Sequence, residues 1–166
     1  YNGSRGFGGE IGHITVDING KECGCGNRGC LETYADIPAV LQWVKEEYIK
    51  QNLDLPELSW LWLIDSAKTG NEICRKAIER QCRYLAAAIV TAANLIDPEC
   101  IFIGGEIGLA SDLTVPFINQ YVNQYKFSPN TFQIPVYPSG LPGGATFVGT
   151  AALVLERNLG KEPQHD

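Results

Sequence analysis

Four potential metal ligands fall within eighteen residues near the start of the chain: His13, Cys23, Cys25 and Cys30. Glycines at 24, 26 and 29 separate the thiols. Three thiolates and one imidazole are the donors zinc takes in four-coordinate structural sites. A backbone doubling back around one ion needs unusual dihedrals, which glycine supplies. Four protein ligands leave the metal no open position, so the role expected of zinc here is structural and not hydrolytic. The alternative is three free cysteines and a surface histidine; the zinc reading makes residues 10–32 a loop knotted around an ion. Two carboxylates, Glu10 and Glu32, flank it.

A chain of 166 residues suffices for one sizeable core or two small lobes. Its 45% hydrophobic and 19% charged residues describe a soluble globular protein. A net charge of −6 argues against a nucleic-acid surface within this segment, because phosphate neutralisation needs clustered Lys and Arg. No apolar run is long enough to span a bilayer and no basic-then-apolar leader opens the chain, so no membrane role is expected. The remaining cysteines, Cys74, Cys82 and Cys100, lie in apolar-periodic segments that read as core. That usage fits a reducing cytoplasm. The chain contains no Met and starts at Tyr1-Asn2-Gly3, directly before a glycine-rich loop. This predicts a fragment whose N-terminal part is not included.

Residues 1–12 read as a loop, Ile14-Thr15-Val16 as a short strand and Asp17 to Gly20 as a turn. Asp36 is suited to cap a helix with Pro38 in its first turn, running to about Lys50. A second helix is expected from Leu58 to Ala67, ended by Thr69-Gly70. Asn71 then opens the longest periodic segment, which Asp97-Pro98 stops. Its Leu85 to Ala93 stretch is apolar nearly all round and predicts a central, buried helix. A strand over Cys100 to Ile103, a helix over 112–124, a strand over 132–137, a turn over 138–144 and a helix over 145–158 follow, with a frayed tail from Gly160. Helices alternating with short apolar strands indicate an α/β fold. The pentapeptide Gly-Gly-Glu-Ile-Gly occurs at 8–12 and again at 104–108, but the flanks do not match, and we read the echo as coincidence.

Strand 100–103 runs straight into Gly104-Gly105. Paired glycines let backbone amides approach a nucleotide phosphate, and they serve equally in tight strand-to-helix turns. Gly143-Gly144 gives a weaker signal of the same kind. Near the cysteines, a zinc-bound His13 keeps its other ring nitrogen for a hydrogen bond. Glu10 and Glu32 held beside it either accept from the hydroxyls of a sugar or stand as solvated surface charges.

The run Gly-Glu-Ile-Gly-His13 followed by Cys23-x-Cys25-Gly-x-x-Gly-Cys30-Leu-Glu32 resembles the signature of the ROK family (repressors, open reading frames and kinases). The likeness continues through Asn94-Leu95-Ile96-Asp97-Pro98, Ile103-Gly104-Gly105 and Gly149-Thr150-Ala151-Ala152-Leu153, covering nearly the whole chain. The resemblance implies the C-terminal lobe of an actin-like (ribonuclease H-like) ATPase fold carrying a zinc loop over 10–32, often as a homodimer. By the same resemblance His13, Cys23, Cys25 and Cys30 match the zinc ligands, and Glu10, His13 and Glu32 match residues that bind sugar hydroxyls. Gly104-Gly105 match the adenosine-side loop, within 103–108, of the kinase members.

Kinases of that family also carry an Asp-x-Gly-x-Thr phosphate loop and an Asn-Asp pair whose Asp is the general base. Neither occurs in this chain. Phosphoryl transfer depends on positioning, metal and base, so this chain alone is not expected to catalyse it. Two roles follow from the resemblance. One is the sugar-binding part of a sugar-responsive transcriptional regulator, which contacts DNA only through a missing N-terminal domain. The other is the C-terminal half of a sugar kinase using ATP and Mg2+. The run Asp36-Ile37-Pro38-Ala39-Val40-Leu41 is more like the regulators, whereas Gly104-Gly105 suit a nucleotide. The expectation leans to the regulator.

Overall fold

Helix α4 (Glu72–Ile96) is the axis against which the other elements are laid. It belongs to a computed structural model that describes residues 3–141 and 145–159. Asn71 starts the helix by accepting from the amides of Ile73 and Cys74, and its Nδ2 donates to the Tyr48 hydroxyl at 2.7 Å. Two orphan helix donors are thereby satisfied. At the far end Asp97 turns left-handed, at φ 47°, and Pro98 follows.

Helices α2 (Ile37–Lys50), α3 (Trp60–Lys68) and α5 (Ser111–Tyr125) pack on this axis around the main core. Val44, Leu63, Cys74, Ile118 and Val122 meet there with no exposed surface. Asp36 caps α2 through the Ala39 amide at 2.7 Å, with Pro38 in the first turn as expected. Helix α3 starts two residues later than the periodicity predicts, because Ser59 takes the capping role and accepts from Trp62 N. Lys68 pairs with Asp112 at 2.8 Å and ties α3 to α5.

Strands β1 (Ile101–Ile103) and β2 (Val136–Pro138) pair in parallel, Ile101 opposite Val136, with α5 in the crossover. The strand expected over 132–137 shrinks to three residues for a visible reason. Asn123 accepts from Ile134 N and donates to Ile134 O, and Asn119 accepts from Val136 N. Side chains of α5 thus take backbone groups that a longer ladder would use.

The structure corrects several expectations. Ile14–Val16 is not a strand; Thr15 forms a single bridge to Cys30, and the neighbouring amides serve the cysteine loop. A four-residue helix, α1 (Glu32–Ala35), and 3₁₀ turns at Ile11–His13 and Glu106–Ala110 were not legible. Within α4, Ala86, Ala88, Ile89 and Ala93 are buried, but Thr91 is exposed and the helix emerges to leave Leu95 and Ile96 largely in solvent. Cys100 is only half-buried, and Phe102 on the apolar β1 is 64% exposed beside Tyr137. The two Gly-Gly-Glu-Ile-Gly copies do share local structure: Gly9 and Gly105 both have positive φ, and a 3₁₀ turn follows each. Equal residues make equal turns here, with no likeness in the flanks.

The last element, α6 (Ala145–Leu159), keeps Phe147, Val148, Leu153, Val154 and Leu155 exposed. The turn expected over 138–144 is described only to Leu141; Gly143-Gly144 and the tail from Gly160 lie outside the described residues. Among the described residues no helix is long and apolar enough to cross a membrane.

Candidate functional site

The loop before α1 is built by close backbone approaches. Gly9 adopts φ 92°, and the 3₁₀ turn after it carries Glu10 at its start and His13 at its end. Cys23 N donates to Asn27 O at 2.8 Å and Gly26 N to Cys23 O at 2.9 Å, closing a small knuckle around Cys25. Glu22 and Arg28 pair across its base. Gly29, at φ 65°, passes so near the Asp17 carbonyl that any Cβ there would collide with it. Cys30 then sits fully buried, one residue before Leu31 leads into α1.

These turns bring together the four residues singled out from the sequence. One ligand atom from each of His13, Cys23, Cys25 and Cys30 lies within 4.8 Å of the other three. Cys25 Sγ is 3.7 Å from Cys30 Sγ, and Cys23 Sγ is 3.7 Å from His13 Nδ1. A tetrahedron drawn with zinc–sulfur bonds of about 2.3 Å has edges of about 3.8 Å. The donor set and these two edges fit such an ion. Cys23 and Cys30 are buried and Cys25 is exposed, so the cluster has one side open for metal entry.

Glu32, at the first position of α1, leans into the cluster. The Cys23 thiol donates to Glu32 Oε1 at 2.9 Å, and His13 Nδ1 is 3.7 Å from the same oxygen. That hydrogen bond is the main reason the Cys23 thiol is pushed up to about 12, since the carboxylate accepts from the protonated form. Burial raises Cys30, while the Asn27 backbone contact lowers Cys25. A divalent cation overrides such preferences by taking the thiolates directly. Glu10 is exposed and has no side-chain partner among the described residues. His13 and Glu32 therefore share one cluster, and Glu10 lies at the near end of the 3₁₀ turn that carries His13.

Gly104-Gly105 close β1, where Gly105 has φ 66° and a Cβ on Gly104 would press on Ser139. With Asp36, Ile37, Pro38, Glu106 and Ile107 they line a shallow groove of about 340 Å3. Trp60 Nε1 donates to Glu106 O at 2.8 Å and fixes the groove's outer turn. From the sequence, the start of α2 is read as a helix cap and as a regulator-like run, not as a groove wall. Helix α1 links the two places: Glu32 opens it at the cluster, and Asp36, directly after it, lines the groove.

The model of the ROK family matches residues 1–157. The DNA-binding transcriptional dual regulator NagC of Escherichia coli is 35% identical over 161 residues, covering 95% of this chain and 39% of that protein. A glucokinase of Thermotoga maritima is 31% identical over 163 residues, covering 93% of this chain and 51% of the kinase. Among solved structures, a ROK family glucokinase from Streptomyces griseus, in complex with glucose and AMPPNP, superposes with a TM-score of 0.78 at 23% identity. That match covers 87% of this chain and 50% of the kinase and shows a shared α/β fold. The chain spans about two fifths to one half of the length of the curated relatives it matches.

Proposed function

The chain belongs to the ROK family, and from that premise we propose that it is the C-terminal, sugar-binding part of a sugar-responsive transcriptional regulator. The observation that supports the sugar-binding part of this reading is the Glu32 carboxylate at the start of α1, 3.7 Å from His13 Nδ1. A carboxylate and an imidazole fixed on one rigid loop can receive sugar hydroxyls at set positions. Glu10, exposed at the entrance to the His13 turn, supplies a further acceptor.

In this reading zinc is held by His13, Cys23, Cys25 and Cys30 and supplies structural rigidity. His13 gives its second ring nitrogen to the ligand, and the carboxylates of Glu10 and Glu32 accept from hydroxyls. Sugar then favours one arrangement of this lobe relative to the rest of the polypeptide or to a second copy in a homodimer. A DNA-binding domain N-terminal to this chain reads that shift, by as much as the sugar's differential affinity allows. The similarity to NagC and the Asp36–Leu41 run support the regulator. No catalytic residue is assigned within the chain.

One observation favours a second reading, the C-terminal half of an ATP-dependent sugar kinase. The Gly104-Gly105 turn lines a groove open enough for part of a nucleotide, and the Thermotoga maritima relative is a glucokinase. The parent polypeptide, supplied with MgATP and glucose, N-acetylglucosamine, N-acetylmannosamine, fructose or xylose, separates the two. The regulator reading predicts sugar binding by calorimetry without ADP release. Sugar-dependent ADP release overturns it and assigns Gly104-Gly105 to the nucleotide.

A further inference from the structure

A helix as short as α1 cannot sustain itself in water, because nucleation of the first turn is unfavourable. Yet it carries Glu32, so something outside it must set the carboxylate's direction. The fixation comes from its other side. Tyr34 is only 5% exposed, and its hydroxyl donates to Asp17 Oδ2 at 3.0 Å and accepts from Lys21 N at 3.2 Å. These two partners are the ends of the turn that leads into Cys23. Any Cβ on Gly20, inside that turn, would collide with the same hydroxyl.

The Tyr34 ring is gripped in turn by α4. It stacks on Tyr84 with centroids 4.4 Å apart, and the Arg80 guanidinium lies 5.3 Å from the Tyr34 centroid and 5.0 Å from that of Tyr84. Arg80 also donates to Tyr34 O at 3.4 Å, and the fully buried Gln81 donates to Ala35 O at 2.8 Å. The last carbonyls of α1 are therefore satisfied by α4 side chains. One hydroxyl and one arginine join the Asp17–Lys21 turn, α1 and α4 into a single unit.

We propose that Tyr34, clamped by Arg80, is a positioning residue for sugar binding: it fixes the rotation of α1 that aims Glu32 at the ligand. The proposal rests on the reading of Glu32 as a sugar ligand. Tyr34→Phe keeps the ring, the stack and the arginine contact while removing the hydroxyl. In the full-length protein, zinc content and helix content should stay as in the wild type. Affinity for whichever of glucose, N-acetylglucosamine or xylose the wild type binds should fall roughly tenfold, the scale of one lost hydrogen bond. Hydrogen exchange at the Lys21 amide should accelerate.

A double-mutant cycle separates positioning from general weakening. In a Glu32→Ala background, Tyr34→Phe should cost no further affinity, since there is no carboxylate left to aim. An equal loss in both backgrounds overturns the proposal, as does unchanged affinity in Tyr34→Phe alone. Should Tyr34→Phe lose its zinc, Asp17→Asn is the milder probe, and it should weaken binding severalfold with the metal retained; unchanged affinity there overturns the proposal equally. A wild type that binds none of the sugars overturns the reading of Glu32 itself and the positioning role with it, a different result from a wild type that binds and a variant that binds as well.

Discussion

Cys30 and Cys25 differ in burial but serve one cluster. Cys30 is fully buried beneath the loop, and Cys25 is exposed at its rim, with 3.7 Å between their sulfurs. Either change to Ser should lower bound zinc well below one ion per chain by elemental analysis, because each removes one of the four Cys/His ligands. Thermal stability should fall with it, since metal binding here is coupled to ordering of the loop. Zinc content equal to wild type in Cys25→Ser would contradict the assignment. The carboxylates test differently. Glu10→Ala removes an exposed acceptor without packed neighbours, so calorimetry should show sugar affinity reduced about tenfold or more, as for a hydrogen bond to a charged group, with little change in melting temperature.

Among the elements, α4 carries the core and also supports α1. Asn71 both caps it and holds the Tyr48 hydroxyl on α2. Asn71→Ala should destabilise the fold by about 1–2 kcal/mol in denaturant titration, the cost of a lost cap. A value near zero would show that solvent replaces both contacts. The Lys68–Asp112 pair between α3 and α5 is exposed, and Lys68 holds the Asp112 carboxyl below the usual range. A lowered folded value means that the stabilisation is full above the ordinary carboxylate pKa and is lost as pH falls through the folded value. Solvent screening keeps it small, so Asp112→Asn should change stability by under about 1 kcal/mol at neutral pH and flatten the acid limb slightly. Much of this level was readable from the chain. Asp36 with Pro38, and Asn71 with Asp97-Pro98, carry local chemistry that fixes helix ends. The β2 strand was not readable at its true length, because Asn119 and Asn123 take its backbone groups from across the chain. Nor was α1, whose support comes from Arg80 and Gln81, more than forty residues away.

Over the whole molecule, the Cys/His spacing made the candidate cluster legible before any coordinates, because ligand type and glycine placement are local. The groove at Gly104-Gly105 was only half legible: the glycines are visible in sequence, but the start of α2 reaches them through tertiary packing. The same packing joins cluster, α1 and α4. The sugar site at Glu32, on which the proposed function rests, is tested most directly by calorimetric titration of the zinc-loaded full-length protein with the sugar panel, wild type beside Glu32→Ala. The account predicts saturable binding of at least one sugar to the wild type and a loss of about tenfold or more in Glu32→Ala. Equal affinity in the two proteins would contradict it.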